Sequence, residues 1–446
     1  MTPTFSQRAE HELQNTVQRS NLRRAAKTIG ARRAMVVAST PDWEELREAG
    51  RAIKTEALGR LDEYLLQFEA SATAAGTTVH WASTGTEAGE IVAHICATDG
   101  AHSIVKAKSL TTDEIHLNEQ LAAHGLDVLE TDLAELILQL DHDWSSHIVV
   151  PALHRNRNEI MEIFKRTIAP DLRTDEPADL AEAARSYLRM RFLNSDVGIS
   201  GANFAVAETG SLCLVESEGN GRMCTTLPRV LISVVGIEKV IPRFQDLEVF
   251  LQLLPRSATG EQMNPYTSIW TGVTPGDGPE EMHVVLLDNR RTNVLADPVG
   301  RDALGCIRCG ACLNTCPVYT RSGGHAYGSV YPGPIGAILT PQLDGLEKHA
   351  SLPYASTLCG ACYEVCPVKI NIPHILVHLR NQVPHRKSER LAMRLAALVL
   401  SKPRRVEVLS RLFRPLARFA NVPGWSRSRD LPPPPKQTFS QWWRGR

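Results

Sequence analysis

No stretch of this chain reaches the ~18 uninterrupted apolar residues that a membrane-spanning helix needs. The nearest, "LAMRLAALVL" at 391–400, is broken by Arg394. The opening "MTPTFSQRAEHELQNTVQRSNLRR" has no apolar segment of the secretory kind, so the expected location is cytoplasmic. Also missing are a G-x-G-x-x-G fingerprint, a phosphate-binding loop and an H-E-x-x-H metal helix. No Ser/His/Asp set is readable, and no nucleic-acid-binding motif appears. Net charge is absent too, since 49 Lys+Arg balance 49 Asp+Glu. That balance conceals an asymmetry: from Arg380 to the end, sixteen basic residues face only Glu389, Glu407 and Asp430, which leaves +13 on the tail and −13 before it.

What is present divides into stretches of different periodicity. A chain of 446 residues exceeds one ordinary core, and ~100–200 residues per domain implies two or three units. Residues 1–75 carry charged segments with apolar positions at helical spacing, as in "WEELREAGRAIKTEALGRLDEYLLQF", and read as a helical lead-in. Over 76–297, short apolar runs alternate with helical stretches: "TTVHWA", "HSIVKAK", "LDVLETD" and "HIVVPAL", then "GANFAVAETGSLCLVES", "RVLISVVG", "EKVIPR" and "EMHVVLLDN". Strand and helix taking turns predict an α/β unit with a largely parallel sheet. From 298 to 380 the strand pattern gives way to Gly, Pro and Cys, which suggests a ligand-organised domain with little apolar core of its own. The region 381–446 reads as basic amphipathic helices, followed by a proline-stiffened, extended end, "DLPPPPKQTFSQWWRGR".

Seven of the ten cysteines lie between 306 and 366. In a large chain without a secretory signal, clustered thiols point to metal rather than to disulfides; Cys96, Cys213 and Cys224 read as core thiols. "CIRCGACLNTCP" has the spacing C-x2-C-x2-C-x3-C-P, formed by Cys306, Cys309, Cys312 and Cys316. Three close thiolates can grip one corner of a cubane cluster while the fourth, turned away by the proline, reaches a neighbouring cluster. Zinc sites usually separate two C-x2-C pairs, so this spacing suits zinc badly. The echo "CGACYEVCP" has three cysteines, and Ser356 stands where its first would be. A crossed arrangement gives one cluster to Cys306, Cys309, Cys312 and Cys366 and another to Cys316, Cys359 and Cys362. The second site is one thiolate short: it holds a [3Fe-4S] cluster, or a [4Fe-4S] cluster whose last iron binds Ser356, His349, His374, water or a partner.

With these motifs read, the chain resembles the iron–sulfur subunit family of the bacterial L-lactate utilisation system, the lactate utilization protein B family. "GISGANFAVAETGSLCLVESEGNGRMCTTLPRVLISVVGIEK" looks like its lactate-utilisation domain, "CIRCGACLNTCPVYTRSGGHAYGSVYPGPIGAILTP" with "LCGACYEVCPVKI" like its dicluster segment, and "QTFSQWWRGR" like its C-terminal region. The resemblance implies an isomerase- and coenzyme A-transferase-like α/β domain, then a helical two-cluster ferredoxin-like domain and a basic helical tail. It implies that the seven cysteines are cluster ligands for two clusters, most simply [4Fe-4S]. It also implies two partners in oxidising L-lactate to pyruvate, a cysteine-rich heterodisulfide-reductase-like subunit and a second lactate-utilisation-domain protein. On this reading the chain passes electrons, and the alternative makes its α/β domain the 2-hydroxy-acid oxidising catalyst.

Other candidates are weighed against plainer structural roles. Glu208, at a strand-to-turn junction where related folds place an active-site carboxylate, is equally a solvated turn residue. "ESEGNGRM" at 216–223 could cradle an anion with backbone N–H groups, or be a simple loop. Lys106 and Lys108 in "KAKSLTTDE" could bind a carboxylate or phosphate, or precede a helix cap. Asp288, Arg290 and Arg291 read as surface pairing. The tail suits docking to an acidic partner, with peripheral membrane contact as the other use of a basic amphipathic surface.

Overall fold

Apolar residues at helical spacing build the first layer. In the computed structural model, which describes residues 3–101, 103–383, 387–413 and 435–446, the lead-in forms helices Phe5–Glu12, Thr16–Ala38, Trp43–Gly59 and Leu61–Ala74. Thr4 and Gln7 close a capping box on the first of these, which satisfies donors a helix start leaves free. The described residues fall into two compact units, 1–382 and 383–446.

Among the described residues, the α/β part of the first unit has ten strands: β1 (Thr78–Ala82), β2 (Ser103–Lys106), β3 (Asp127–Glu130), β4 (Val197–Ser200), β5 (Phe204–Val206), β6 (Ser211–Glu216), β7 (Val230–Gly236), β8 (Val240–Ile241), β9 (Tyr266–Trp270) and β10 (Glu281–Leu287). Six form a sheet in the order β1-β10-β7-β4-β2-β3, every pair parallel. β4 and β7 are buried at every position, which explains their unbroken apolar reading, because a parallel sheet is covered on both faces. A smaller sheet, β8-β5-β6-β9, pairs β6 antiparallel with both β5 and β9.

Three expectations fail here. "HIVVPAL" forms bends and turns rather than a strand, because the His147 Nδ1 accepts from the N–H groups of Val149 and Val150, both at 3.0 Å. The ring takes donors a sheet neighbour would have used. The cysteine-rich segment also has a substantial apolar core. Cys309, Cys312, Cys316, Cys362 and Cys366 lie in one hydrophobic cluster with Leu22, Trp43, Phe204, Phe250, Ile338 and Leu376, drawn from the lead-in, the α/β part and helices Gly333–Leu343 and Ile372–Gln382. Finally, the expected extended end contains helix Phe439–Arg444, capped reciprocally by Thr438 and Gln441. Residues 414–434, which include part of the proline run, lie outside the described residues.

The second unit contains helices Lys387–Leu400, Pro403–Phe413 and Phe439–Arg444. Among the described residues, no helix is long and apolar enough to cross a membrane. Cys96, Cys213 and Cys224 are fully buried.

Candidate functional site

Both cysteine motifs fold the same way, and an offset of 50 residues superimposes one on the other. Gly310 and Gly360 adopt left-handed φ of 74° and 86°, a conformation that costs little without a Cβ. Each starts a one-turn helix, Ala311–Asn314 and Ala361–Glu364, that carries the third thiol, Cys312 or Cys362. Arg308 and Leu358 are left-handed as well, at φ 61° and 55°, a strained choice for residues with side chains. The turn aims the N–H of Arg308 at Cys306 Sγ, 3.4 Å away. In the echo, the N–H of Leu358 donates to Ser356 Oγ at 3.1 Å. Ser356 therefore presents its hydroxyl where the first motif presents a sulfur. Arg380 fixes it from behind through its carbonyl at 3.2 Å. Of the two histidines considered for the same role, His349 is buried against Asp344 at 2.7 Å, and His374 is exposed.

Backbone donors face two of the thiols, while burial and neighbouring sulfurs act against their ionisation. Cys316 Sγ accepts from the N–H of Tyr319 at 3.4 Å, and Cys366 Sγ accepts from that of Ile370 at 3.3 Å; such bonds stabilise negative sulfur. Burial, followed by repulsion from Cys306, Cys309 and Cys366, holds the Cys312 thiol well above its ordinary range. Burial, a backbone bond from Ile370 and repulsion from Cys306 leave Cys366 at about 11. For Cys362, burial and then Cys316 and Cys359 raise the thiol to about 12. Cys359, exposed, is held low by backbone and Thr357 hydrogen bonds. The electrostatic influences run along the two sets, Cys306, Cys309 and Cys366 acting on Cys312, Cys306 on Cys366, and Cys316 and Cys359 on Cys362, with Cys362 also acting on Cys312. An all-sulfur donor set, buried but for Cys306 and the exposed Cys359, with backbone N–H groups turned toward it fits iron–sulfur clusters.

Cations surround the first group. Arg47 donates to the Cys366 carbonyl at 3.0 and 2.9 Å, and Arg33 to the Val365 carbonyl at 2.9 Å. Arg308, held over the Tyr331 ring at 4.8 Å, reaches Glu238 Oε1 at 3.3 Å. Arg291, expected at the surface, is fully buried. It ion-pairs with Glu238 and with Glu114, the latter at 2.9 and 3.0 Å, and Tyr331 donates to Glu114 at 2.6 Å. Burial alone pushes Glu238 up, yet Arg291, Lys239 and Arg308 hold it at about 2. No spacing rule connects Glu114, Glu238, Arg291 and Arg308; they meet because helix Leu110–Glu114 after β2, the segments that follow β7 and β10, and the first cysteine motif converge.

The remaining candidates separate. Glu208 is exposed in the β5–β6 turn, where its Oε2 accepts from the N–H of Phe244 at 2.8 Å. The 216–223 loop cradles an anion, but its own: Glu216 accepts from the N–H groups of Gly221 and Arg222 at 2.8 and 2.7 Å. Lys106 is buried against Glu130 at 2.6 Å, while Ser109 caps the following helix by accepting from Thr112. Lys108 donates to the Ile148 carbonyl at 2.7 Å.

Comparison with known proteins agrees with this layout. Family models match the LUD domain over residues 65–287, the 4Fe-4S dicluster domain over 302–370 and the lactate utilisation protein B C-terminal region over 372–446. The chain is 41% identical to "Lactate utilization protein B" of Anoxybacillus flavithermus over 465 residues, covering 100% of this chain and 98% of that protein. It is 42% identical to the protein of the same name from an Exiguobacterium species, covering 99% and 97%. Among solved structures, a DUF162-family protein of Deinococcus radiodurans shares 14% identity at a TM-score of 0.28, covering 51% of this chain and 98% of that one. With identity of this level along its full length, the chain belongs to the lactate utilization protein B family.

Proposed function

We propose that this protein is the iron–sulfur electron-transfer subunit of a system oxidising L-lactate to pyruvate. Cys306, Cys309, Cys312 and Cys366 hold one cluster, and Cys316, Cys359 and Cys362 hold a second whose fourth position faces Ser356. What supports this reading is that the two motifs fold alike at an offset of 50 residues and that each supplies a thiol acting on the other's group, Cys366 on Cys312 and Cys316 on Cys362. When bound, each cluster takes up and releases one electron at a time. The chain's own residues do the rest. Arg33, Arg47 and Arg308 balance the negative charge of the first site; Ile307 and Leu313, both buried, exclude water. The exposure of Cys359 supports a second site near the surface, where electrons leave to a partner or a quinone-linked acceptor. The partners are a cysteine-rich heterodisulfide-reductase-like subunit and a second lactate-utilisation-domain protein. The +13 tail docks an acidic partner surface, with peripheral membrane contact as the competing use.

Iron and sulfide content with low-temperature electron paramagnetic resonance on anaerobically purified protein tests the assignment. About eight irons per chain and two interacting reduced centres are expected for paired four-iron clusters. Iron-free protein carrying zinc would overturn the reading.

A further inference from the structure

The parallel sheet has a topological switch point. From β2 the chain turns outward to β3, then returns to the other side of β2 as β4, so the crevice beyond the carboxyl ends of β2 and β4 is where α/β sheets of this kind bind ligands. A cavity of about 240 Å³ lies there. Lys108 and Ser109 enter it from the end of β2, Gly201 and Asn203 from the end of β4, and Lys239 and Arg308 from the side of the first cysteine motif. The volume is below the ~300–1,000 Å³ of pockets that accept drug-sized molecules, which limits the occupant to a small one.

Two of the lining cations carry a donor group that no described residue pairs. Arg308 is 8% exposed, and although its other groups bond Glu238 and stack on Tyr331, its Nη1 is buried with no hydrogen bond among the described residues. Lys239, also 8% exposed, makes neither a hydrogen bond nor an ion pair among the described residues. Buried charges are ordinarily paired, and Glu238 is already shared between Arg291 and Arg308. Asp132, Glu216 and Glu261 share the lining, but Asp132 caps the helix that follows it and Glu216 takes the N–H groups of Gly221 and Arg222. The wall beside Lys239 and Arg308 therefore calls for an anion, whereas Leu214 and Leu254 offer an apolar surface within the same cavity.

We infer that this cavity is a binding site for a small monocarboxylate of the 2-hydroxy or 2-oxo acid class, its carboxylate held by Arg308 Nη1 and Lys239 Nζ and its carbon chain against Leu214 and Leu254. The identification of that acid with the lactate–pyruvate pair rests on the proposed electron-transfer role; the anion site itself does not. Arg308 lies between Cys306 and Cys309, so the bound acid is one side chain away from the first cluster.

Calorimetric titration of the iron-loaded, full-length protein under anaerobic conditions, with L-lactate, pyruvate and inorganic phosphate, tests this. Lactate and pyruvate should bind one per chain. Lys239→Gln should weaken them at least tenfold without altering iron content or cluster absorbance. Asn203→Asp, which keeps the acceptor for the Val215 N–H but adds a negative charge, should weaken them as well. Three outcomes would overturn the site: no carboxylate binding to the unaltered protein, binding that neither substitution affects, or phosphate binding as well as lactate. A Lys239→Gln protein with a shifted cluster potential and unchanged carboxylate affinity would also overturn it, by assigning the cations to the cluster. Failure of binding in protein whose two clusters load and exchange electrons removes the cavity assignment alone, whereas carboxylate binding by protein that purifies anaerobically with zinc and no iron removes the electron-transfer reading alone.

Discussion

Ser356 stands where a cysteine stands in the first motif, and its hydroxyl accepts the equivalent backbone N–H. Ser356→Cys is therefore expected to add a fourth thiolate without moving the chain. If the second site holds three irons, the substitution raises the iron count by about one per chain and abolishes the oxidised three-iron resonance; paramagnetic resonance with iron analysis reads both. Arg291 supplies a second residue-scale prediction. Arg291→Leu strands Glu114 in the interior and leaves Glu238 with Arg308 alone, and breaking a buried pair in this way costs about 3–5 kcal/mol, visible as a lowered denaturant midpoint. Lysine will not rescue it, because a point charge cannot reproduce the forked contacts to both carboxylates. The cysteines were legible in sequence because cluster ligation imposes fixed spacing. Arg291 was not: "DNRR" looks like a polar turn, and the burial of its last residue depends on two acids 53 and 177 positions away.

Among the connecting elements, the 147–153 segment shows how one side chain redirects a local preference. Its apolar residues favour a strand, yet His147 binds two backbone donors of the segment and faces Asn314 Oδ1 at 3.3 Å through its other nitrogen. Burial holds this imidazole at about 4, against 6.5 for the unperturbed ring. Because the unfolded chain then binds the extra proton between pH 6.5 and 4, stability is complete above that window and falls as the pH drops through it, by at most about 3 kcal/mol. Urea midpoints at pH 7 and 5 should show this loss, and His147→Gln should flatten the difference. The cysteine turns give a comparison between repeats. A Cβ on Gly360 meets nothing within 4 Å, but one on Gly310 comes within 3.2 Å of Val149 Cγ2. Both Ala substitutions carry the left-handed penalty of about 1–2 kcal/mol. Gly310→Ala should lose more stability and more iron than Gly360→Ala. Period and turn residues revealed the α/β alternation and the lead-in helices; the failure at 147–153 arose because a ring-to-backbone bond leaves no periodic trace.

For the first unit as a whole, the decisive feature is that lead-in helices, α/β part and cysteine motifs contribute to one apolar cluster. The Gly- and Pro-rich composition of 298–380 suggested a segment held by metal alone, but helix Gly333–Leu343 is buried along almost its entire length, something composition could not convey. Metal and core should therefore melt together: chelation of the iron is expected to lower the thermal midpoint of unit 1 in a single transition, rather than release the cysteine segment as an independent step, and calorimetry before and after chelation checks this. The cations near Cys309 and Cys366 act at the same scale. Arg33→Gln should lower the reduction potential of the first cluster by tens of millivolts, given that about 59 mV corresponds to a tenfold change for one electron, with the second cluster less affected. The shared core also bears on how the protein meets proteases. Loss of the proposed clusters is expected to loosen the apolar cluster that the motifs share with the lead-in helices and the α/β part, so iron-free chains should be cut faster than loaded ones throughout unit 1, and limited proteolysis before and after chelation checks this.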